Sequence, residues 1–343
     1  MLAILQLVSV LAQQPSRPAL RLGADHTFNI MQVADVHTGE GEASWGPGVD
    51  DRTYADLGRV LAAEPRVDLA VFSGDMLTGL NVDANATAYW DRLVRVFDGA
   101  RVPHTAILGN HDAEPFSGSG ANQSSPGAKT DRTALMEHDS ALPLSYSRVG
   151  PARLRPAVSV YAVDVLPHLP VVGQRPALQL FHLDSGGGGM AEELYAAQIA
   201  WFNETVRARR KAHNGAVVPA LVFVHIPLYE FQSAVQAGDS CFGDHDDGIT
   251  PTVSNTGLFA ALDAAPEVQA VFVGHDHCND FCCQFGTRKV DLCFGRHSGG
   301  GGYACDGYGT GSRVITFHGD TGALTTHVRM NANLSVVHRG TLA

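Results

Sequence analysis

Ten consecutive residues, GHDHCNDFCC (274–283), hold two histidines, two aspartates and three cysteines. That density suits a Cys/His zinc clip, a disulfide knot or part of a larger catalytic metal site. Four other short stretches carry metal-capable side chains: Asp35-Val36-His37, Gly74-Asp75, Gly109-Asn110-His111-Asp112 and His225 in VFVHIP. Each has an ordinary reading in isolation. A strand-end aspartate is commonly a turn or cap residue, a lone buried histidine a satisfied core group, and G-N-H-D a turn. As an ordered set they share a feature, because each follows a short apolar run. Residues i and i+2 of an extended segment project to the same side. Asp35 with His37, and His275 with His277, are therefore each expected to address one site. The mix of carboxylate, imidazole and one amide oxygen suits Zn²⁺, Mn²⁺ or iron, not the all-oxygen preference of calcium.

The runs that must position these residues alternate with helical patterns. FNIMQVAD (28–35), VDLAVFSGD (67–75), HTAILGNHD (104–112), ALQLFHLDS (177–185), ALVFVHIP (220–227), VQAVFVGHDH (268–277), KVDLCFG (289–295) and SRVITFH (312–318) read as strands. DDRTYADLGRVLAAE (50–64), ATAYWDRLVRVFDG (86–99), the 190–213 region and a short stretch between 254 and 265 read as helices. This alternation predicts a layered α/β protein, with ligands at the carboxyl ends of its strands. Residues 113–130 are rich in Ser, Gly and Pro and read as a long loop; no linker separates two complete patterns, so one domain is expected over 25–330.

A net charge of −11 over 343 residues repels phosphate backbones, so nucleic acid is not an expected partner. The basic run Arg207–Lys211 reads as a helix end, where cations favour the dipole. Residues 2–12 are almost wholly apolar, and Val10 and Ala12 suit a cleavage site, so residues 1–12 read as a secretory signal. No run is long enough for a membrane span. Six cysteines, all beyond residue 240, and sequons at Asn85, Asn122, Asn203 and Asn333 agree with a disulfide-bonded, glycosylated chain, secreted or held in the lumen of the secretory pathway or vacuole. Adjacent Cys282 and Cys283 are expected to pair elsewhere.

The order D-x-H, G-D, G-N-H-D, V-x-x-H, G-H-x-H over residues 35–277 resembles the calcineurin-like metallophosphoesterase superfamily. WGPGVDDRT (45–53), FSGDMLTGLN (72–81), NATAYWD (85–91), LDSG (183–186), GHDHCNDFC (274–282) and LCFGRHSGGGGY (292–303) are similar to its purple acid phosphatase 29-like and Dcr2-like branch. The resemblance implies an α/β fold, a two-sheet β-sandwich flanked by helices (four layers, α/β/β/α), with a dinuclear centre at its edge. Asp35, His37, Asp75 and His277 would hold one metal; Asp75, Asn110, His225 and His275 would hold the other. Metal-bound hydroxide would then attack phosphorus, His111 would protonate the leaving group, and Asp112 would orient His111.

The purple enzymes carry G-D-x-x-Y, whose tyrosine binds Fe³⁺. Here the stretch is Gly74-Asp75-Met76-Leu77-Thr78, and D-x-G is replaced by D-x-H. Imidazole in place of phenolate favours two divalent or mixed-valence ions of Fe, Mn or Zn over a purple centre. The expected activity is phosphomonoester hydrolysis, on a phosphorylated small molecule or phosphoprotein. A phosphodiesterase on the same core and a non-catalytic metal-binding protein are the alternatives. Arg296 and His297, in a glycine-rich run, are candidate phosphate contacts. Gly186–Gly189 lacks the Gly-Lys-Ser/Thr ending of a P-loop and reads as a flexible connection. On this reading the three cysteines after His277 are a disulfide anchor joined to Cys241, Cys293 or Cys305.

Overall fold

In a computed structural model of the chain, residues 17–41, 44–78, 82, 86–113, 131–238 and 240–342 are described. The expected signal peptide, most of the 113–130 loop, Asn85 and Asn122 lie outside them.

Two mixed sheets pack face to face. The first has the strand order β1 (Leu20–Arg21), β5 (Tyr161–Leu166), β6 (Leu178–His182), β7 (Ala220–Phe223), β8 (Val268–Val273), β10 (Val290–Phe294), β9 (Cys282–Phe285). The second runs β13 (Val336–Leu342), β12 (Leu324–Met330), β11 (Gly311–His318), β2 (Thr27–Val33), β3 (Leu69–Ser73), β4 (His104–Ile107). These strands reach beyond both ends of the 25–330 span. Strand periodicity explains the layering. Leu180, Leu221, Phe223, Ala270 and Phe272 point into the core between the sheets. Their alternating neighbours Phe181, Val222, Val271 and Val273 face α4 (Ala196–Ala212), α5 (Tyr229–Ala237) and α6 (Leu258–Ala264) on the outer side. Helices α1 (Gly46–Ala63), α2 (Ala86–Gly99) and α3 (Arg132–Ala141) cover the second sheet. The chain is thus two mixed sheets flanked by helices.

Helix α2 buries Ala86, Trp90, Leu93, Val94 and Phe97, the i, i+4, i+7, i+8, i+11 stripe of an amphipathic helix. Helix α5 stops at Gly238, whose φ of 67° suits glycine. The basic run does close α4: Arg209, Arg210 and Lys211 occupy its last turn, and Arg210 makes two hydrogen bonds of 2.7 Å to Glu267. That helix begins at Ala196, later than its sequence pattern starts.

A buried polar knot ties α2 and α3 to β4. One Asp139 carboxylate oxygen accepts from the Trp90 indole and faces His104 Nε2, both at 2.8 Å; the other accepts from Ser145 at 3.0 Å. Burial pushes the Asp139 pKa up, but His104, with Ser147 and Trp90, outweighs it and holds it below the ordinary value. A depressed folded pKa gives stability that is fully present above ~4, where the unfolded carboxylate is ionised, and is lost as pH falls through the lower folded value. Thermal melts from pH 6 to pH 2 should therefore show Asp139→Asn less stable than wild type near neutrality, with the gap narrowing in acid. A gap that does not change with pH would remove this role.

Candidate metal centre

The strands of the two sheets end side by side, and the turns that follow carry the predicted residues. Asp35 follows β2, Asp75 follows β3, Asn110 and His111 follow β4, His225 follows β7, and His275 and His277 follow β8. The turns interlock through their backbones. Asp35 N–H donates to the Gly74 carbonyl at 3.1 Å, and His37 N–H to the Asp75 carbonyl at 3.0 Å. Asp35, His37, Asp75 and His275 all have positive φ, between 52° and 80°. Non-glycine residues reach that region at a cost, and such strain collects at functional sites. The side chains converge through left-handed turns, not along one face of an extended strand. Asp35 and His37 reach the same cluster, and His275 and His277 enter different clusters of one centre.

Two clusters result: Asp35 with His37 and His277, and Asp75 with His225 and His275. His37 Nε2 and His277 Nε2 face each other at 3.1 Å, and His277 Nε2 lies 3.8 Å from Asp35. In the second cluster His225 Nε2 lies 3.0 Å from Asp75 Oδ2 and 3.2 Å from Asn110 Oδ1, and His275 Nδ1 lies 3.1 Å from the same amide oxygen. Asp75 Oδ2 is also 3.7 Å from His37 Nε2, so it stands between the clusters.

The far ring nitrogens of His225, His277 and His37 are fixed, which turns the near ones toward the clusters. His225 Nδ1 donates to the Ser73 carbonyl at 2.9 Å, and His277 Nδ1 to the Tyr303 carbonyl at 2.6 Å. His37 Nδ1 donates to Thr78 Oγ1 at 3.0 Å, and that hydroxyl donates to Glu40 at 2.9 Å. Thr78 stands where the purple enzymes carry their tyrosine, and here it holds the replacement imidazole. Burial holds His37 well below its ordinary pKa, His275 at about 3 and His277 at about 4, so all three are neutral. Asp35 Oδ2 is buried without a hydrogen-bond partner, and burial, with Asp75 beside it, pushes the carboxyl up to about 8. His225 differs: burial lowers its pKa, but Asp75 and Asp35 outweigh that and raise it to about 10. Three neutral imidazoles, an orphaned carboxylate oxygen and a shared carboxylate fit cations, whose charge would offset the cost of the buried acids and displace the His225 proton.

The clusters open into a cavity of about 740 Å³ walled by His37, Glu40, His111, Thr250, Asp276 and Tyr303. His111 is partly buried. Its backbone N–H donates to Asp75 Oδ1 at 2.8 Å, and its ring centre lies 5.0 Å from that of His37.

Three expectations change. Asp112 was expected to orient His111, but both of its oxygens are taken by backbone amides: Gly109 at 2.7 Å, Asp75 at 2.8 Å and Leu77 at 2.9 Å. It braces the Asp75 turn. Arg296 does not line the cavity: it is 3% exposed, donates to Asp280 at 2.8 Å and to the Gly309 carbonyl at 2.7 Å, and stacks on Tyr308. His297 lies behind His277, ring centres 4.2 Å apart, and meets the Gly301 carbonyl at 3.0 Å.

The glycine runs are close-packed. The pentapeptide Ser-Gly-Gly-Gly-Gly occurs at 185–189 and again at 298–302, once behind each cluster. A Cβ on Gly187 would lie 2.2 Å from Asn110 Cα, and one on Gly302 would lie 2.5 Å from the His277 ring. Both φ values are positive, so only glycine serves at either position. The sequence reading gave no role to Glu40, Thr78, Tyr303 or the buried Arg132–Asp184 pair, whose arginine also holds the Gly109 carbonyl at 2.7 Å. Asp184, Thr78 and Tyr303 lie in the LDSG, FSGDMLTGLN and LCFGRHSGGGGY stretches, which were the available signals.

The cysteines form three disulfides, Cys241–Cys283, Cys278–Cys305 and Cys282–Cys293, as fits an oxidising compartment. Cys282 and Cys293 face each other across the β9–β10 ladder. No helix among the described residues is long and apolar enough to cross a membrane.

A sequence profile of the calcineurin-like phosphoesterase family matches residues 28–279. The chain is 29% identical over 327 residues to the probable inactive purple acid phosphatase 29 of Arabidopsis thaliana, covering 87% of this chain and 79% of that one. It is 27% identical over 297 residues to the phosphatase DCR2 of Saccharomyces cerevisiae, covering 80% of this chain and 48% of that one. The fold is shared with the purple acid phosphatase PPD1 of yellow lupin, with a TM-score of 0.57 at 13% identity, over 92% of this chain and 53% of that one. The chain thus spans about half the length of the yeast and lupin proteins. From the length of the profile match, the chain belongs to the calcineurin-like phosphoesterase family.

Proposed function

We propose that this chain is a metal-dependent phosphomonoesterase. The observation that carries the reading is the pair of clusters that share Asp75 and open into one cavity with His111 on its wall. Asp35, His37, Asp75 and His277 would hold one cation; Asp75, Asn110, His225 and His275 would hold the other. Two such ions supply Lewis acidity, which neutralises phosphoryl oxygens and makes water nucleophilic near neutral pH. Asp75 sets the common point of both positions. Ser73, Thr78 and the Tyr303 carbonyl fix the tautomers that aim three imidazoles inward. His111 donates a proton to the departing alkoxide oxygen.

The names of several relatives mark them as probably inactive. Activity here is supported by the complete donor set, the retained His111 and the open cavity. The substrate is a phosphorylated small molecule or phosphoprotein, since the net charge of −11 disfavours nucleic acid. The disulfides support a secreted or lumenal protein, and exposed Asn333 and partly exposed Asn203 suit glycosylation.

Purified protein should carry about two transition-metal ions per chain and hydrolyse monoesters faster than diesters. Metal analysis and turnover on phosphomonoesters, diesters and phosphopeptides, from one sample, test this. Zero or one ion under metal-replete conditions sinks the bimetal reading, and faster diester turnover replaces it with a phosphodiesterase.

A further inference from the structure

The two clusters are supported differently. In the Asp75 cluster, His225 leans on the Ser73 carbonyl at the end of β3, in the core sheet. The imidazoles of the Asp35 cluster depend instead on residues 302–305, within a segment between β10 and β11 that contains neither helix nor strand. The Tyr303 carbonyl takes the His277 Nδ1 proton at 2.6 Å. The Tyr303 phenol accepts from the His277 backbone N–H at 2.8 Å and donates to Asp247. Its ring stacks on the His277 ring, centres 4.1 Å apart. Gly302 N–H donates at 2.8 Å to the second oxygen of Glu40, whose first oxygen holds Thr78 and, through it, His37. One short strap therefore sits behind both imidazoles.

Nothing regular holds that strap, and Tyr303 is 48% exposed. The Cys278–Cys305 disulfide does the holding. It starts at the residue after His277 and ends two residues beyond Tyr303, so it fixes donor and acceptor of the His277 contact to each other. The other two disulfides lie further from this contact: Cys241–Cys283 and Cys282–Cys293 join β9 to its neighbours.

Building on the metal reading above, we propose that the strap Gly302–Cys305, closed by the Cys278–Cys305 bridge, sets the affinity of the Asp35/His37/His277 position selectively, with Tyr303 as its positioning residue. Without the bridge the strap regains conformational freedom, and ordering it again opposes binding at that position. The partners that orient metal-binding imidazoles typically govern affinity by ~10–100-fold. The Asp75/His225/His275 position, supported from β3, keeps its affinity.

The test uses the full chain loaded with Zn²⁺, read by metal analysis and by calorimetric Zn²⁺ titration of the stripped protein. Wild type should take two ions. The Cys278→Ser/Cys305→Ser variant should take one with unchanged affinity and the other ~10–100-fold more weakly. The Cys241→Ser/Cys283→Ser variant should match wild type. Tyr303→Phe, which keeps the bridge and the carbonyl but removes the phenol, should weaken the same single ion. It decides the matter if the double variant fails to fold. Equal weakening of both ions would mean general loosening and overturn the proposal. So would two ions of unchanged affinity in the Cys278→Ser/Cys305→Ser protein, or in Tyr303→Phe. Fewer than two ions in wild type would overturn the metal reading, and this inference with it.

Discussion

Replacing Asp75 with alanine should remove both cations and lower turnover by ~10³-fold or more, since metal ions supply several kcal/mol of transition-state stabilisation. The expected size follows from its position. Asp75 Oδ2 lies 3.0 Å from His225 Nε2 and 3.7 Å from His37 Nε2, so one oxygen reaches both clusters. Its other oxygen takes the His111 backbone N–H at 2.8 Å, and its carbonyl takes that of His37 at 3.0 Å. The His37 and His225 rings, brought together by that carboxylate, would then meet without it in a buried site. Asp35→Ala gives the useful contrast, because Asp35 belongs to one cluster only. Its expected product keeps one ion. Metal analysis of the two variants side by side separates the roles. An Asp75→Ala protein that still holds two ions would refute the bridging assignment.

Much of the site was legible because its residues follow core strands. Apolar runs such as LAVFS and VQAVFV are fully or mostly buried, so a polar residue just beyond them stands out. The geometry was not legible. Spacing of i and i+2 suggested a pleated strand face, whereas the chain turns through left-handed residues at Asp35, His37 and His275. Arg296 looked available for phosphate because its neighbours are glycines. Its partners are Asp280 and Asp244, with His338 2.9 Å from the same Asp280 carboxylate, all distant in sequence or beyond the motif. Gly186–Gly189 was misread as a flexible connection for the same reason, and the close packing of the 299–302 run was not foreseen. What they pack against, Asn110 and His277, lies in other turns.

Several elements that escaped the sequence reading have polar or short patterns, although β5, apolar at all but Asp164, escaped as well. Strand β12 buries Leu324, Thr326 and Val328 in strict alternation, but one of the three is a threonine. Strand β13 is an edge with a single buried residue, Leu342. Helix α3 buries Arg132 and Asp139, charges whose partners Asp184, Trp90 and His104 are far along the chain. In β12, β13 and α3 long-range pairing decides burial, and local hydrophobicity does not report it.

His111 makes the sharpest separation between holding metal and using it. Its neighbour Asn110 points an amide oxygen at His225 and His275, while His111 itself falls in neither cluster. Its ring lines the cavity, and its main chain is pinned to Asp75. His111→Ala leaves that backbone bond and all seven proposed ligand side chains in place. Metal content should therefore stay at two, while turnover falls by ~10²-fold or more, the size of a general-acid contribution. The loss should depend on the leaving group. A good leaving group such as p-nitrophenolate needs little protonation, so its hydrolysis should suffer least, and an alkyl phosphate should suffer most. Equal losses for both would assign His111 to charge stabilisation of the phosphoryl group instead. Turnover equal to wild type on alkyl phosphates, with both ions bound, would remove it from the mechanism.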